Sequence, residues 1–249
     1  MKVLVTGSSG FIGSNLINKL SVLYKDITIY KFNSKSDVSE LEQYTKDCDF
    51  VFNLAAVHRP TDKSDFLKIN SELFSTILSL LKKNGNKCPI LYTSSIQADA
   101  GNDYGNSKVK AENDLIEFSK ENGNRAIIYR LTNTFGRWAR PNGHSVIATF
   151  CYNIRRDIPI NVSDRTHLMK LYFIEDVVNS FIDRLNEKED NGKIYYQLDQ
   201  AQVYLKTLGE IADSLNKFRQ LELGGQVVAL TDPFEKKLYL TYCSYRNNK

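Results

Sequence analysis

The chain has 249 residues, of which 42% are hydrophobic and 25% are charged, and its formal net charge is +4 at pH 7. This length and composition are typical of one globular α/β domain with a small appended lobe. The charge is mild and spread along the chain, which suits the binding of anionic small molecules and argues against a nucleic-acid-binding protein.

The remaining composition excludes several further classes. The four cysteines form no C-x-x-C pair and the three histidines lack ligand spacing, so we expect reduced thiols and no metal site. No apolar run approaches the roughly 18 residues that a membrane span needs, and the first residues do not resemble a signal peptide. We therefore expect a cytoplasmic protein that does not associate with membranes.

Strand and helix patterns alternate over the first half of the chain. We predict strands at residues 1–6, 27–32, 50–54, 90–95 and 126–131, and helices at residues 11–24, 38–44, 66–81 and 104–122. Alternation of this kind implies right-handed βαβ units and a parallel sheet. The predicted fold class is α/β, a doubly wound parallel sheet of the Rossmann type, with ligands beyond the carboxyl ends of the strands.

After Asn133 the regular alternation stops. We predict helices at residues 146–156, 174–185 and 208–218 and a short strand at residues 160–162. There is no internal repeat, low-complexity tract or linker. The predicted division is a Rossmann core over residues 1–135 and, over residues 136–249, mainly a small C-terminal lobe from which some segments return to the core.

A glycine-rich segment, GSSGFIG, joins the first strand to the first helix. Gly7 permits a sharp turn, Gly10 permits close approach of a pyrophosphate, and Gly13 permits close packing of helix and strand. The helix N-terminus also presents a partial positive charge to phosphates. We predict a dinucleotide cofactor at this loop, contacted also by Phe11 and Ile12 at the start of the helix.

The end of the second strand bears on which cofactor binds. Dinucleotide sites usually carry an acidic residue there that accepts the ribose 2′-OH, and the count from Gly7 places Lys31 at that point, with Lys35 close behind. Lysine suits a 2′-phosphate, which favours NADP(H) over NAD(H). The alternative that these lysines only form a solvated face stays open.

A candidate catalytic pair follows the fourth strand. Tyr104 and Lys108 are four residues apart, so both side chains project from one face of the predicted helix. A nearby ammonium favours phenolate and should lower the pKa of the tyrosine, which can then exchange a proton with a substrate oxygen. The hydroxyl of Ser95, at the end of the strand, is placed to hold that oxygen.

Five segments together resemble the extended short-chain dehydrogenase/reductase family. They are GSSGFIG (residues 7–13), NLAA (53–56), SSIQA (94–98), YGNSK (104–108) and RLTNTFG (130–136). The resemblance implies a nicotinamide cofactor lined by Leu54, Ala55 and Ala56. It implies Ser95, Tyr104 and Lys108 as catalytic residues. Asn70 would support the lysine through water, and Asn133 would lie near the substrate.

Other phrases, AAVHRP, PNGHSVIATFCY and FEKKLYLTY, resemble one subfamily of bacterial capsule and O-antigen reductases. This implies an NADPH-dependent reductase of a UDP-linked 4-keto-6-deoxy-N-acetylhexosamine, on the route to UDP-N-acetyl-L-fucosamine. Members usually carry a C-terminal cupin-type epimerase domain, which we expect to be absent from this chain. We also expect a homodimer, with a separate cupin-type epimerase as a further partner.

The second half supplies candidates for binding the UDP-sugar, because guanidinium groups suit diphosphates. The predicted substrate-binding residues are Ser94, Asn133, Arg137, Ser145, Arg165 and His167.

Three other functions have requirements that can be compared with this sequence. A 4,6-dehydratase needs an acidic pair after the catalytic hydroxyl, where this chain has Ile96 and Gln97. A sugar-nucleotide 4-epimerase with bound NAD stays open, although Lys31 argues mildly against it. A non-enzymatic NADP-binding redox sensor also stays open, but such proteins usually lose the tyrosine or the lysine.

Overall fold

The computed structural model describes residues 1–56, 71–143, 145–187 and 189–246. In chain order its strands and helices are β1 (Lys2–Thr6), α1 (Phe11–Leu23), β2 (Thr28–Phe32), α2 (Ser39–Tyr44), β3 (Phe50–Asn53), α3 (Leu73–Lys83), β4 (Ile90–Ser95), α4 (Asp103–Asn122), β5 (Ala126–Leu131), β6 (Asn133–Phe135), α5 (Val146–Ile154), β7 (Leu168–Phe173), α6 (Ile174–Asn186), β8 (Tyr195–Tyr196), β9 (Val203–Thr207), α7 (Leu208–Leu223) and α8 (Pro233–Cys243).

The first compact unit comprises Met1–Leu131 and Val178–Gln197. Its six strands form one parallel sheet in the order β2-β1-β3-β4-β5-β8. The direction of strand addition reverses between β1 and β3, and a doubly wound sheet binds its ligand at such a reversal. The predicted α/β fold with a parallel sheet is therefore confirmed.

The core of this unit explains why its central strands are easy to recognise. Every residue of β3 and β4 is buried, and so are the last four of β1. Helices cover both faces of a parallel sheet, so its strands are apolar on both sides. Helix α3 packs on the sheet through Phe74, whose ring stacks on Tyr92 of β4 at 5.1 Å between centroids. This packing fixes the strand ends that carry the site.

The second compact unit comprises Thr132–Val177 and Leu198–Lys249. A three-stranded sheet runs in the order β6-β7-β9, with β6 parallel and β9 antiparallel to β7. Helices α5, α7 and α8 pack together. The guanidinium of Arg155, at the end of α5, donates to Glu222 of α7 at 2.7 Å and lies 4.4 Å from the ring centroid of Tyr242 of α8.

The second half departs most from the sequence-based expectations. The predicted strand at residues 160–162 is wrong, because the ladders of this unit are formed by β6, β7 and β9, and residues 160–162 join none of them. Strand β6 belongs to the second unit because it pairs with β7. The units therefore divide after residue 131, whereas the sequence-based boundary lay after residue 135. The separate functions of the two regions stay predictions.

None of the helices in the described ranges is long and apolar enough to cross a membrane. Within the same ranges, no group of three or more His, Cys, Asp or Glu side chains is placed to hold a metal ion. The four cysteines are free thiols.

Candidate functional site

The glycine loop after β1 lies directly against the chain that leaves β3. Gly7 has a φ of 62°, and a Cβ there would lie 2.9 Å from the backbone of Leu54 and Ala55. A Cβ on Gly13 would lie 2.3 Å from the carbonyl oxygen of Gly7. Both approaches require glycine. The structure thus brings the predicted residues Gly7, Gly13, Leu54 and Ala55 together at the reversal point of the sheet.

Two buried polar side chains brace this arrangement; Thr6 was not predicted, and Asn53 was included only as the first residue of the NLAA segment. The Thr6 hydroxyl donates to Asn53 Oδ1 at 2.6 Å and accepts the N–H groups of Leu54 and Ala55 at 3.1 Å each. Thr6 ends β1 and Asn53 ends β3, and these strands are parallel neighbours. A polar residue at the end of each strand was the available signal.

The start of α1 fits the pyrophosphate of a dinucleotide. Gly10 is the N-cap, it makes no side-chain capping bond, and the first turn holds no acidic residue. The N–H groups at this helix end therefore face no competing carboxylate within the turn, and the helix dipole favours an anion there. Phe11 and Ile12 are half-buried in the same turn.

Asn33, the first residue after β2, contacts the glycine loop. Its side-chain amide donates to the Ser8 hydroxyl at 3.3 Å, and the Ser8 N–H donates to the carbonyl of Phe32 at 3.1 Å. Lys31 lies one residue before the end of β2 and is exposed. The count from Gly7 stopped short of the strand end, so it overlooked Asn33. The segment from Lys31 to Ser36 contains no carboxylate.

The catalytic candidates meet because α4 packs tightly against the turn that follows β4. The side chain of Asn102 caps α4 by accepting the N–H of Gly105 at 2.7 Å. A Cβ on Gly105 would lie 2.1 Å from the carbonyl oxygen of Gln97, so glycine allows this close approach. As a result Tyr104, in the first turn of α4, forms a side-chain hydrogen bond with Ser95 at the end of β4.

Burial dominates the electrostatics of Tyr104. The side chain is almost fully buried, which raises the pKa of Tyr104 to about 12, while the hydrogen bond with Ser95 lowers it by less. The expectation of a lowered pKa was wrong in direction. Its physical error was to count the nearby ammonium and to leave out the loss of solvation.

Lys108 is buried beneath the same tyrosine. Its ammonium donates to the carbonyl of Thr93 at 2.9 Å and lies 4.9 Å and 5.7 Å from the ring centroids of Tyr92 and Tyr104. Burial lowers the pKa of Lys108 to about 7, and the carboxylate of Glu112 partly offsets this. The ammonium therefore faces the tyrosine ring, and its charged form is itself disfavoured.

A pH-dependent stability follows from the burial of Lys108. Between its folded pKa of about 7 and its ordinary value of 10.5, the unfolded chain holds this proton and the folded chain does not. The lysine's contribution to stability should therefore rise with pH across that window, by at most about 1.4 kcal/mol per pH unit. The measurement is the free energy of unfolding in urea at pH 7, 8 and 9. Between pH 7 and pH 9 this free energy should rise less, or fall more, for Lys108→Met than for the unmodified chain.

The matched control for that variant is Lys110→Met. Lys110 lies on the same helix, is about half exposed and pairs with Asp114 at 2.8 Å. Its replacement should leave the pH dependence unchanged. Equal slopes for Lys108→Met and the unmodified chain would contradict the assignment.

A buried carboxylate supports the catalytic helix and was not predicted. Glu112, one turn after Lys108, is 1% exposed and accepts from Arg130 Nε at 2.9 Å and Nη2 at 2.7 Å. The Tyr195 hydroxyl also donates to it at 3.1 Å. The other side of the guanidinium binds both oxygens of Asp99 at 2.9 Å. Residues 104, 108 and 112 share one helical face, which was the signal available in the sequence.

Other predicted residues of the first unit have simpler surroundings. Ser94 is buried in β4, and its hydroxyl has no hydrogen-bond partner among the described residues, which is unusual for a buried polar atom. Ala56 is half-buried after β3. Asn70 lies outside the described residues. Their roles stay predictions.

The substrate-binding residues predicted in the second unit have different surroundings from one another. Asn133 is exposed at the start of β6. The Arg137 guanidinium lies 4.5 Å from the ring centroid of Trp138. The Ser145 hydroxyl accepts the N–H of Ala148 at 3.2 Å and so caps α5. Ser145 therefore has a structural role as a helix cap, and substrate binding by Asn133, Arg137 and Ser145 stays a prediction.

Arg165 and His167 lie on the segment that enters β7, and both are exposed. Arg165 pairs with Asp213 at 2.7 Å, and its carbonyl accepts the N–H of Gly209 at the start of α7. An exposed ion pair of this kind contributes little to stability. Substrate binding by either residue stays a prediction.

Comparison with known proteins shows several matches. Residues 3–196 match the NAD dependent epimerase/dehydratase family. The chain is 38% identical over 245 residues to a Pseudomonas aeruginosa protein named UDP-2-acetamido-2,6-beta-L-arabino-hexul-4-ose reductase, covering 98% of this chain and 65% of that protein. It also matches the crystal structure of the capsular polysaccharide assembling protein CapF from Staphylococcus aureus, with a TM-score of 0.86 and 38% identity, over 98% of this chain and 66% of that one.

The chain thus spans about two thirds of the length of these two relatives. A UDP-glucuronic acid 4-epimerase from Bacillus cereus in complex with NAD has a TM-score of 0.81 at 16% identity, over 99% of both chains. That likeness is one of fold alone.

Proposed function

The chain belongs to the NAD dependent epimerase/dehydratase family, and from this premise we propose that it is an NADPH-dependent reductase. Its substrate is a UDP-linked 4-keto-6-deoxy-N-acetylhexosamine, in the biosynthesis of a capsule or O-antigen sugar nucleotide on the UDP-N-acetyl-L-fucosamine route. The observation that carries the proposal is the cluster of Ser95, Tyr104 and Lys108 at the carboxyl end of the sheet, with a tyrosine that stays protonated at neutral pH. The name of the 38% identical relative supports the substrate class.

The reaction requires a proton donor at the carbonyl oxygen. When bound, a dihydronicotinamide cofactor would supply the hydride that the C4 carbon needs. Ser95 and Tyr104 hydrogen-bond the C4 oxygen, and Tyr104 donates its proton to that oxygen. Because its pKa is about 12, Tyr104 is fully protonated at working pH and has a proton to donate to the substrate oxygen. The ammonium of Lys108 then stabilises the phenolate.

We further propose a division of labour between the two regions, with the cofactor held by residues 1–135 and the substrate mainly by residues 136–249. The cofactor contacts are Gly7, Gly10, Phe11, Ile12, Gly13, Lys31, Leu54, Ala55, Ala56, Asn70 and Lys108. The substrate contacts are Ser94, Asn133, Arg137, Ser145, Arg165 and His167. A homodimer and a separate cupin-type epimerase partner belong to the same proposal.

The experiment that tests the function is direct. The purified chain is mixed with NADPH and a UDP-4-keto-6-deoxy-N-acetylhexosamine, and loss of reduced nicotinamide absorbance is followed while NMR identifies the product. We expect oxidation of NADPH and a new hydroxyl at C4. Interconversion of 4-hydroxy sugars without net cofactor oxidation would favour the 4-epimerase instead. Cofactor binding with no turnover of any UDP-sugar would favour the redox sensor.

A preference for NADPH is expected because Lys31 and Lys35 are available for a 2′-phosphate and no carboxylate lies between Lys31 and Ser36. Lys31→Asp should shift the ratio of the two cofactor affinities towards NADH by about tenfold, or about 1.4 kcal/mol. Titration of protein fluorescence with each reduced cofactor measures the ratio. Lys25→Asp, an exposed lysine before the amino end of β2, is the control and should change nothing. Equal affinities in the unmodified chain would contradict the preference.

A further inference from the structure

Trp138 combines an exposed side chain with a strained backbone, which a residue that serves only for packing does not show. It is the one tryptophan of the sequence, and 48% of its surface is exposed. Its φ is 70°, in the left-handed region that is strained for a bulky side chain. Burial of the indole cannot compensate for that strain, since about half of the residue faces solvent. Strained exposed residues of this kind concentrate at ligand sites.

The loop around Trp138, residues 136–143, is held firmly enough to impose this conformation. Gly136 has a φ of 151°, and a Cβ there would lie 2.1 Å from the side chain of Ile174. Ala139, which follows Trp138 in the chain, is buried, and its carbonyl accepts a hydrogen bond from the Tyr245 hydroxyl at 2.5 Å. Further along, the N–H of Asn142 donates to Thr149 at 2.9 Å. The loop is therefore anchored on both sides of an exposed indole.

The charge of the loop indicates what the indole would contact. Residues 136–143 contain two arginines and no carboxylate. Arg140 is exposed, and the guanidinium of Arg137 covers one face of the indole at 4.5 Å from its centroid. An aromatic ring beside one guanidinium group, with a second arginine two residues further along the same loop, suits a flat base joined to a diphosphate.

We propose that Trp138 stacks against the base of a uridine diphosphate group, with Arg137 and Arg140 beside its phosphates. The inference rests on the proposed function for the identity of the nucleotide. The inference adds a binding site for the nucleotide part of the substrate, formed by the loop around Trp138 and separate from the catalytic residues. The backbone strain at Trp138 is then retained because the exposed ring is needed for binding.

The lone tryptophan makes binding directly measurable. UDP is titrated into the full chain, with and without NADP⁺, while tryptophan fluorescence is recorded. Saturable quenching by UDP, with none by inorganic pyrophosphate, supports stacking on the base. No binding of UDP, or equal quenching by pyrophosphate, overturns the proposal.

Substitution separates binding from folding. Trp138→Asn replaces the ring with a residue that tolerates a positive φ, so its Tm should be unchanged or higher, while UDP affinity by calorimetry should fall about 5- to 100-fold. Trp138→Phe keeps a ring and should stay within a few-fold. Val227→Asn, a change at a residue 90% exposed, is the control and should not alter affinity. A Tm that falls in Trp138→Asn with UDP affinity unchanged overturns the proposal.

The outcome for this site is distinguishable from that for the enzyme. If the keto-sugar is reduced and Trp138→Asn leaves its KM unchanged, the stacking site fails and the reductase stands. If UDP binding depends on Trp138 and no keto-sugar is reduced, the stacking site stands and the reductase fails.

Discussion

Replacement of Tyr104 with Phe is expected to lower turnover by roughly 10²-fold or more, the effect typical of a positioned general acid. The variant removes one hydroxyl and keeps the buried ring, so the packing of α4 on the turn after β4 should survive. The hydrogen bond with Ser95 is lost, but the glycine loop and its contacts with Leu54 and Ala55 are untouched. Cofactor affinity should therefore stay close to that of the unmodified chain while kcat falls.

The matched control is Tyr129→Phe. Tyr129 is also a buried tyrosine, in β5, and its hydroxyl hydrogen-bonds with the Ser180 hydroxyl at 2.7 Å. This change should cost about 1 kcal/mol of stability and leave turnover nearly unchanged. A Tyr104→Phe enzyme that retains turnover within a few-fold of the original would remove Tyr104 from its role as proton donor.

The parts of the fold that could be predicted are those with a strong local signal. Strands β4 and β5 have the predicted bounds, because each begins with consecutive apolar residues that are buried in the sheet, and turn residues lie beside it. Strands β6 and β8 have three and two residues, and they were missed. Segments this short carry no period of their own, and their conformation is set by their neighbours in the sheet. The family resemblance, which rests on five separate motifs, is confirmed.

The site divides in the same way. The spacing of Tyr104 and Lys108 and the glycine pattern are local, so the sequence reveals them. The direction in which the pKa of Tyr104 shifts depends on how far its side chain is buried. The spacing of residues along a helix carries no information on burial. The left-handed conformation of Trp138 depends likewise on the contacts that anchor its loop.

The largest loss of stability is expected from Glu112→Gln. Glu112 is buried, and its carboxylate accepts two bonds from Arg130 and one from Tyr195. Breaking a buried ion pair costs more than the pair contributes, and here the guanidinium of Arg130 would keep only the exposed carboxylate of Asp99 as its charged partner. We expect the free energy of unfolding, measured in urea, to fall by about 3 kcal/mol.

Asp99→Asn tests the same guanidinium from its exposed side. The Asp99 side chain is 76% exposed although it binds Arg130 at 2.9 Å, so its loss should cost under about 1 kcal/mol. Glu112→Gln should also slow turnover, because the carboxylate that raises the pKa of Lys108 is gone and less of that lysine is charged at neutral pH. Equal unfolding midpoints for Glu112→Gln and Asp99→Asn would contradict the argument, since burial is the property that separates the two carboxylates. A double variant, Glu112→Leu with Arg130→Met, removes both charges of this pair together. It should recover much of the lost stability without restoring the rate, because Lys108 would still lack its carboxylate.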